Sequence, residues 1–212
     1  MNIHCPKRCA DWQRTGHWPQ TADLPIITGT VGAGTGATVG KHFGIERAMK
    51  GGIGAASATV DGITLGAIVP VDAVGDVVGP ATGRVIAGMR DPVASKPRSA
   101  TAAMLSGERP PFMATGTATA IGVLGTDAVL TKTQCRRPAG ARHDGLARTI
   151  DPIHTLWNGD TIFAFAMGRS GKAGDMMLLG AVAARVMLAT VLNAVRAAKA
   201  VGPIPLGISE ID

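Results

Sequence analysis

The chain has 212 residues, 46% apolar and 17% charged, which suffices for one packed core and excludes a solvated, disordered chain. Its net charge of +6 lacks the dense basic stripe of a nucleic-acid footprint, and 3% aromatics with no tyrosine leave no base-stacking platform, so no nucleic-acid partner is expected. The 29 glycines do not recur at every third position, which excludes collagen and points to tight turns around a core of small aliphatic residues.

Residues 1–23 hold Trp12, Trp18, Cys5 and Cys9 and show no apolar periodicity, so they read as an unstructured leader. No apolar run follows Lys7 and Arg8, as a secretory signal would require. His4, Cys5 and Cys9 lack a second ligand pair, so no zinc is expected. Three cysteines make no disulfide framework, and the expected setting is the reducing cytoplasm. Residues 24–27 suit a strand start, weakened by Pro25. A glycine-rich loop runs from Gly29 to Gly40 and ends at Lys41. Residues 63–71 form an apolar, β-branched run that predicts a buried strand. Residues 72–84 are turn-rich, with a short strand at Val77 and Val78, and residues 91–112 read as a flexible loop. A second buried strand is predicted over 119–125 and a third over 160–167. Between them, 131–150 predicts a helix with Thr131 as N-cap, interrupted at Pro138. Residues 175–200 predict a long helix, with Leu179, Val182, Val186 and Ala189 at helical spacing. Its apolar stretch approaches membrane-span length, but Arg185 sits at the centre, so a buried amphipathic helix and no membrane partner are expected. Strands alternating with helices give a mixed α/β layer architecture.

Three stretches could carry chemistry. Gly32-x-Gly34-x-x-Ala37 matches a relaxed dinucleotide fingerprint, but Gly40, Gly44, Gly51 and Gly52 break the helix that should follow, and no βαβ unit frames Asp61. The alternative is a close backbone crossing that needs Cβ-free residues. Thr119 opens a strand directly after a flexible loop. Cut before it, the chain would gain a hydroxyl nucleophile with its own α-amine as base, at a pKa of ~7.7–8.0. The plain alternative is that threonine is a favoured strand residue. Asn158-Gly159 is a turn signal that sets Asn158 and Asp160 at a strand mouth, and an ordinary turn would explain it equally.

Taken together, several stretches resemble the P1-family peptidases: peptidase family S58, the DmpA-like L-aminopeptidase/D-esterases. They are the loop from Val31 to Lys41, the Lys50-Gly51-Gly52-Ile53-Gly54 turn, the segment from Val71 to Val77 and Ala81-Thr82-Gly83-Arg84. Gly125-Thr126-Asp127-Ala128, the run from His143 to Thr149 and the run from His154 to Phe163 complete the set. The resemblance implies an α/β fold, a four-layer α/β/β/α sandwich of the DmpA type. It implies a precursor that cuts itself at Ala118–Thr119 and uses Thr119 as the catalytic nucleophile. Lys41 would be a polar site residue, and Asp72 occupies the position of an asparagine that helps hold the oxyanion. Asn158 and Asp160 would orient the nucleophile. Substrates would be small peptides, amino-acid amides or esters with a free amine; the assembly would be a homo-oligomer, and no metal or organic cofactor would be used.

The sequence departs from that pattern at definite places. Family members are longer at the N-terminus, where a glycine-rich segment carries a site tyrosine, so residues 24–212 are expected to be the C-terminal part of an incomplete domain. Asp72 cannot donate to an oxyanion unless protonated. Ala118 stands where asparagine or glycine commonly precedes the cut. Three readings follow: a self-processing aminopeptidase, a truncated family remnant with weak or no catalysis, and a glycine-loop nucleotide-binding module. An incomplete sandwich should also expose an apolar sheet face.

Overall fold

The computed structural model describes residues 26–94, 96–111 and 118–207. The segment read as a leader lies outside them, as do Cys5, Cys9 and the first half of the expected strand at 24–27. Ile26 and Ile27 are irregular rather than extended in a sheet.

A long hairpin organises the molecule. β3 (Gly52–Val60) and β4 (Ile63–Val71) are nine-residue strands, preceded by the short pair β1 (Thr38–Val39) and β2 (Met49–Lys50). Asp61 and Gly62 join β3 to β4, both at positive φ, the conformation a two-residue hairpin turn demands. β4 has the expected bounds, whereas β3 is not legible from composition: glycine, alanine and serine are poor strand formers. What makes it a strand is the full nine-pair register with β4.

Five further strands complete two sheets. β5 (Asp76–Val78) lies between β6 (Val85–Ala87) and β8 (Ile150–Asp151) in a small sheet. β7 (Ile121–Thr126) and β9 (Thr161–Ala166) extend the hairpin into the four-stranded order β3-β4-β7-β9. The β7–β9 pair is parallel and the others antiparallel.

Helices cover one face of that sheet. α2 (Lys132–Ala147) starts at Thr131, in a capping box with Gln134. Contrary to the sequence expectation, Pro138 does not interrupt it. Proline removes one N–H from the ladder, and the helix is held along its length by packing against α3 (Met176–Arg196). The Asp175 carboxylate caps α3 by accepting from the N–H groups of Met177 and Leu178. α3 is long and apolar enough to cross a membrane by length and composition alone. Its apolar side, with Leu179, Met187 and Val191, is spent instead on the core beside Leu65, Val69 and Leu124.

The helix lies close to the strands. A methyl group on Gly54 would collide with the Thr190 carbonyl, and one on Gly34 with the Gly29 carbonyl. At Gly34 the glycine loop is therefore filled by its own backbone, and Gly32–Thr35 forms a 3-10 turn in place of the helix a dinucleotide fingerprint opens.

Residues 91–112 are not wholly a loop. A helix, α1 (Ala100–Leu105), forms within them, with Ser99 as N-cap. At six residues it is too short to show periodicity. The Asp76 carboxylate anchors it, accepting from Met89 N at 2.7 Å and Ala100 N at 2.7 Å. Burial pushes that carboxyl up to about 7 from its ordinary 3.8, against the pull of the two N–H donors. The folded chain thus holds a proton that the unfolded chain releases, and stability should fall as pH rises from 3.8 to about 7, then level off. The slope is at most ~1.4 kcal/mol per pH unit. Asp76→Asn, which keeps one acceptor, should flatten this part of the profile in urea unfolding at stepped pH; an unchanged slope would refute the assignment.

Candidate active site

The parallel register of β7 and β9 continues past the strand ends to a bridge between Ala118 and Asn158. This brings four of the expected site residues to one strand mouth. Gly159 N–H donates to the Ala118 carbonyl at 3.3 Å, and Thr161 N–H to the Ala120 carbonyl at 3.0 Å. The Asp160 carboxylate accepts from Ala120 N at 3.0 Å, and its side chain is only 2% exposed. Asp160 thus grips the backbone immediately after Thr119 rather than its hydroxyl. Thr119 Oγ1 donates to the Ala118 carbonyl at 2.7 Å. Gly159 leaves room for it, because a Cβ there would stand 3.1 Å from Thr119 Oγ1.

Asn158 links this cluster to the second one. Its Oδ1 accepts from Val74 N at 3.3 Å, and the Val74 carbonyl accepts from Lys41 N at 2.8 Å. Lys41 Nζ pairs with Asp72 Oδ1 at 2.6 Å. The same oxygen accepts from Thr38 N at 2.9 Å and Thr38 Oγ1 at 3.3 Å. Asp72 is therefore an acceptor for three donors, and it anchors Lys41 and Thr38 where an asparagine would have presented an amide. An amide donor does exist nearby: Asn158 Nδ2 is buried with no partner among the described residues.

Several residues that sequence reasoning did not single out surround these groups. Lys50 is buried and donates to the carbonyls of Gly34, Ala37 and Gly51, tying down the glycine loop. Burial lowers its ammonium pKa, Asp72 opposing and Lys41 adding to the effect. His154 sits at positive φ with Nδ1 3.7 Å from Asp160 Oδ2, and the His143 ring is 5.2 Å away. Burial, then the neighbouring His154, lowers the His143 pKa. His42 is buried edge-on to Trp157, ring centroids 5.6 Å apart, and burial lowers its pKa against the pull of Asp151. The available signal was the run from His154 to Asp160, which places a histidine and a carboxylate on one turn. Among the described residues no group of three or more His, Cys, Asp or Glu side chains could hold a metal ion. A hollow of about 930 Å³ lies on the outer face of the main sheet, away from the Lys41–Asp72 pair.

Comparison with known proteins bears on this geometry. The sequence model of peptidase family S58 matches residues 8–204, a range that takes in part of the segment read as a leader. An uncharacterized aminopeptidase of Mycobacterium leprae is 41% identical over 199 residues, covering 86% of this chain and 52% of the relative. One of Mycobacterium tuberculosis is 40% identical over 183 residues, covering 83% and 51%. The chain thus spans about half the length of these curated relatives. Among solved structures, a Burkholderia sp. beta-aminopeptidase matches with a TM-score of 0.59 at 26% identity, covering 94% of this chain and 54% of that one. The L-aminopeptidase D-Ala-esterase/amidase of Ochrobactrum anthropi, described as a variant of the Ntn hydrolase fold, matches with a TM-score of 0.57 at 22% identity, covering 89% and 50%. The fold is of that type, as the resemblance implied. The described residues supply one helix layer and one main sheet of it.

The grip of Asp160 on Ala120 can be weighed directly. Asp160→Ala strands a buried N–H and should cost about 1–3 kcal/mol in denaturant unfolding. Asp160→Asn retains an acceptor oxygen and should cost less than half as much; equal losses would show that the bond to Ala120 N contributes little.

Proposed function

The chain belongs to peptidase family S58, and we propose that it is an N-terminal-nucleophile aminopeptidase, matured by self-cleavage between Ala118 and Thr119. One observation carries this reading: the Thr119 hydroxyl lies 2.7 Å from the Ala118 carbonyl oxygen, on which the Gly159 N–H also bears. Attack of Thr119 Oγ1 on the Ala118 carbonyl carbon would expel the Thr119 nitrogen and leave an ester. Gly159 N–H would hold the oxyanion formed on the way. Water would then hydrolyse the ester, leaving a carboxylate on Ala118 and a free α-amine on Thr119. That amine, with a pKa of ~7.7–8.0, would accept the hydroxyl proton when Thr119 attacks a substrate.

The surrounding groups fit those roles. Asp160 fixes the backbone after the nucleophile, and the Asn158 amide stands beside the junction as a further donor. Lys41, tied to Asp72, places a cation on the loop that reaches Asn158 through Val74. The relatives' names support small peptides, amino-acid amides or esters with a free amine as substrates, and the sparse cysteines a cytoplasmic setting.

A second reading keeps a specific observation behind it. Asp72 offers no donor, and losing one oxyanion donor costs about 10²–10³ in rate. A family remnant of low activity would have this site. The measurement that separates the two is mass spectrometry of the expressed chain. Self-cleavage should give fragments 1–118 and 119–212, abolished in Thr119→Ala and retained at reduced rate in Thr119→Ser. Amide hydrolysis should then fall about tenfold per pH unit below the amine pKa. An intact wild-type chain that turns over no amino-acid amide would leave the remnant reading.

A further inference from the structure

One buried carboxylate oxygen beside the candidate nucleophile takes no hydrogen bond. Asp160 Oδ1 accepts from Ala120 N, but Oδ2 is buried with no hydrogen-bond partner among the described residues. A buried carboxylate is tolerable only where a charge or donor supports it, because the low dielectric makes an unsupported oxygen costly. The ion-pair partner of Asp160 among the described residues is His154, whose Nδ1 stands 3.7 Å from Oδ2. That spacing is electrostatic contact, longer than a full hydrogen bond.

The backbone that delivers His154 is strained. Its φ is 55°, a left-handed conformation in which a Cβ meets steric resistance and glycine meets none. Just beyond it the chain bends, Asn158 N–H donating to the Thr155 carbonyl at 3.1 Å, and returns to Asp160. Glycine would make the same bend more cheaply, so the ring itself needs a reason to be there. The ring meets Asp160 through Nδ1 and lies 5.2 Å from the His143 ring of α2. His143 Nδ1 is buried without a partner, and burial, then His154, lowers the His143 pKa. His143 is therefore the poorer source of a proton for the carboxylate, and His154 the better one.

We propose that His154 is a positioning residue for the chemistry at Thr119: its Nδ1–H supports Asp160 Oδ2, which aims Oδ1 at Ala120 N. The inference rests on the reading of Thr119 as the nucleophile. Ala120 N follows Thr119 directly, so a carboxylate free to turn would release the peptide that sets the Thr119 hydroxyl against the Ala118 carbonyl. The Gly159 N–H bears on that same carbonyl and would lose its alignment with the hydroxyl. His154 acts through Asp160 alone.

Asparagine and aspartate at this position separate the role from that of a turn former. Both tolerate the left-handed conformation, and both place a polar atom where Nδ1 stands. The asparagine amide donates, whereas an aspartate oxygen only accepts and sets a like charge against Asp160. A turn former would treat the two alike.

The test starts from the full chain carrying Thr119→Ala, which stays uncut. Hydrogen exchange of the Ala120 amide, followed by NMR, reads the grip of Asp160 directly. His154→Gly keeps the bend and should speed that exchange about tenfold. His154→Asn should restore the parent rate, and His154→Asp should exchange at least as fast as His154→Gly. Long-range 1H–15N spectra of the parent should show a proton on His154 Nδ1 both below and above neutral pH; this measurement needs no variant and decides the proposal even where a variant fails to fold. With Thr119 restored, the rate of self-cleavage should follow the same order. An uncut Thr119 chain would remove the nucleophile reading, while the exchange order and the Nδ1 proton still judge the hold of His154 on Asp160. Equal exchange in the asparagine and aspartate variants, no change in His154→Gly, a neutral ring protonated on Nε2 alone, or cleavage rates that ignore the exchange order would each overturn the proposal.

Discussion

The register of one parallel strand pair governs the rest of the molecule. Ile121 faces Thr161 and Thr126 faces Ala166, and the same offset carried backward sets Ala118 against Asn158. A slip of one residue would invert every side chain on β7. It would turn Leu124 out of the core and Thr119 into it. The offset is held at the mouth. There Asp160 binds Ala120 N and Gly159 N binds the Ala118 carbonyl. Close by, in the first half of β9, Arg142 of α2, fully buried, donates to the carbonyls of Ile162 and Phe163 and fixes β9 to the helix layer. Burial lowers that guanidinium pKa to about 10, which leaves it charged at neutral pH and worth its hydrogen bonds to carbonyl dipoles.

Charge around the site is arranged in two tiers. Lys50 is buried and satisfied by three carbonyls of the glycine loop, so it acts as a fastener. Lys41 lies at the loop's end and pairs with Asp72, whose remaining capacity goes to Thr38. Lys41 adds to the cost of ionising the buried Lys50, and Asp72 offsets part of it. This gives the aspartate a structural reason to stand where an amide would serve an oxyanion better. Asp72→Asn would supply a donor and remove the countercharge that holds Lys41.

Much of the fold could be read from the sequence because its strongest elements carry local signals. The β-branched run of β4, the Thr131 capping box and the apolar face of α3 each declare themselves within a dozen residues. β3 does not, because its glycines and alanines are selected by the helix crossing above it: Gly54 lies under Thr190, 136 positions away in the chain. α1 escaped because its anchor is Asp76, far upstream of Ser99. Pro138 misled because a local rule met a tertiary one. At the candidate site, Thr119, Asn158 and Asp160 were singled out by the family resemblance, and the structure adds how they meet. The histidines were not, since a lone histidine carries no pattern; only the turn that folds His154 back to Asp160 gives it a partner.

The apolar sheet face that the described residues leave exposed and the strand mouth are two aspects of one arrangement. A nucleophile on a strand must show its side chain on one face, and β7 offers only two. The inner face is packed solid with Leu124 and its neighbours, so the hydroxyl has to point outward, onto the apolar face. Left to water, that face would give Thr119 a high-dielectric setting in which a single N–H from Gly159 is weak support for an oxyanion. Covered by a second sheet, the same donor acts in a water-poor slot, where a fixed dipole is worth far more. Burying Phe163 and Phe165 and drying the Thr119 carbonyl contact would be one event, were another sheet to pack across these four strands.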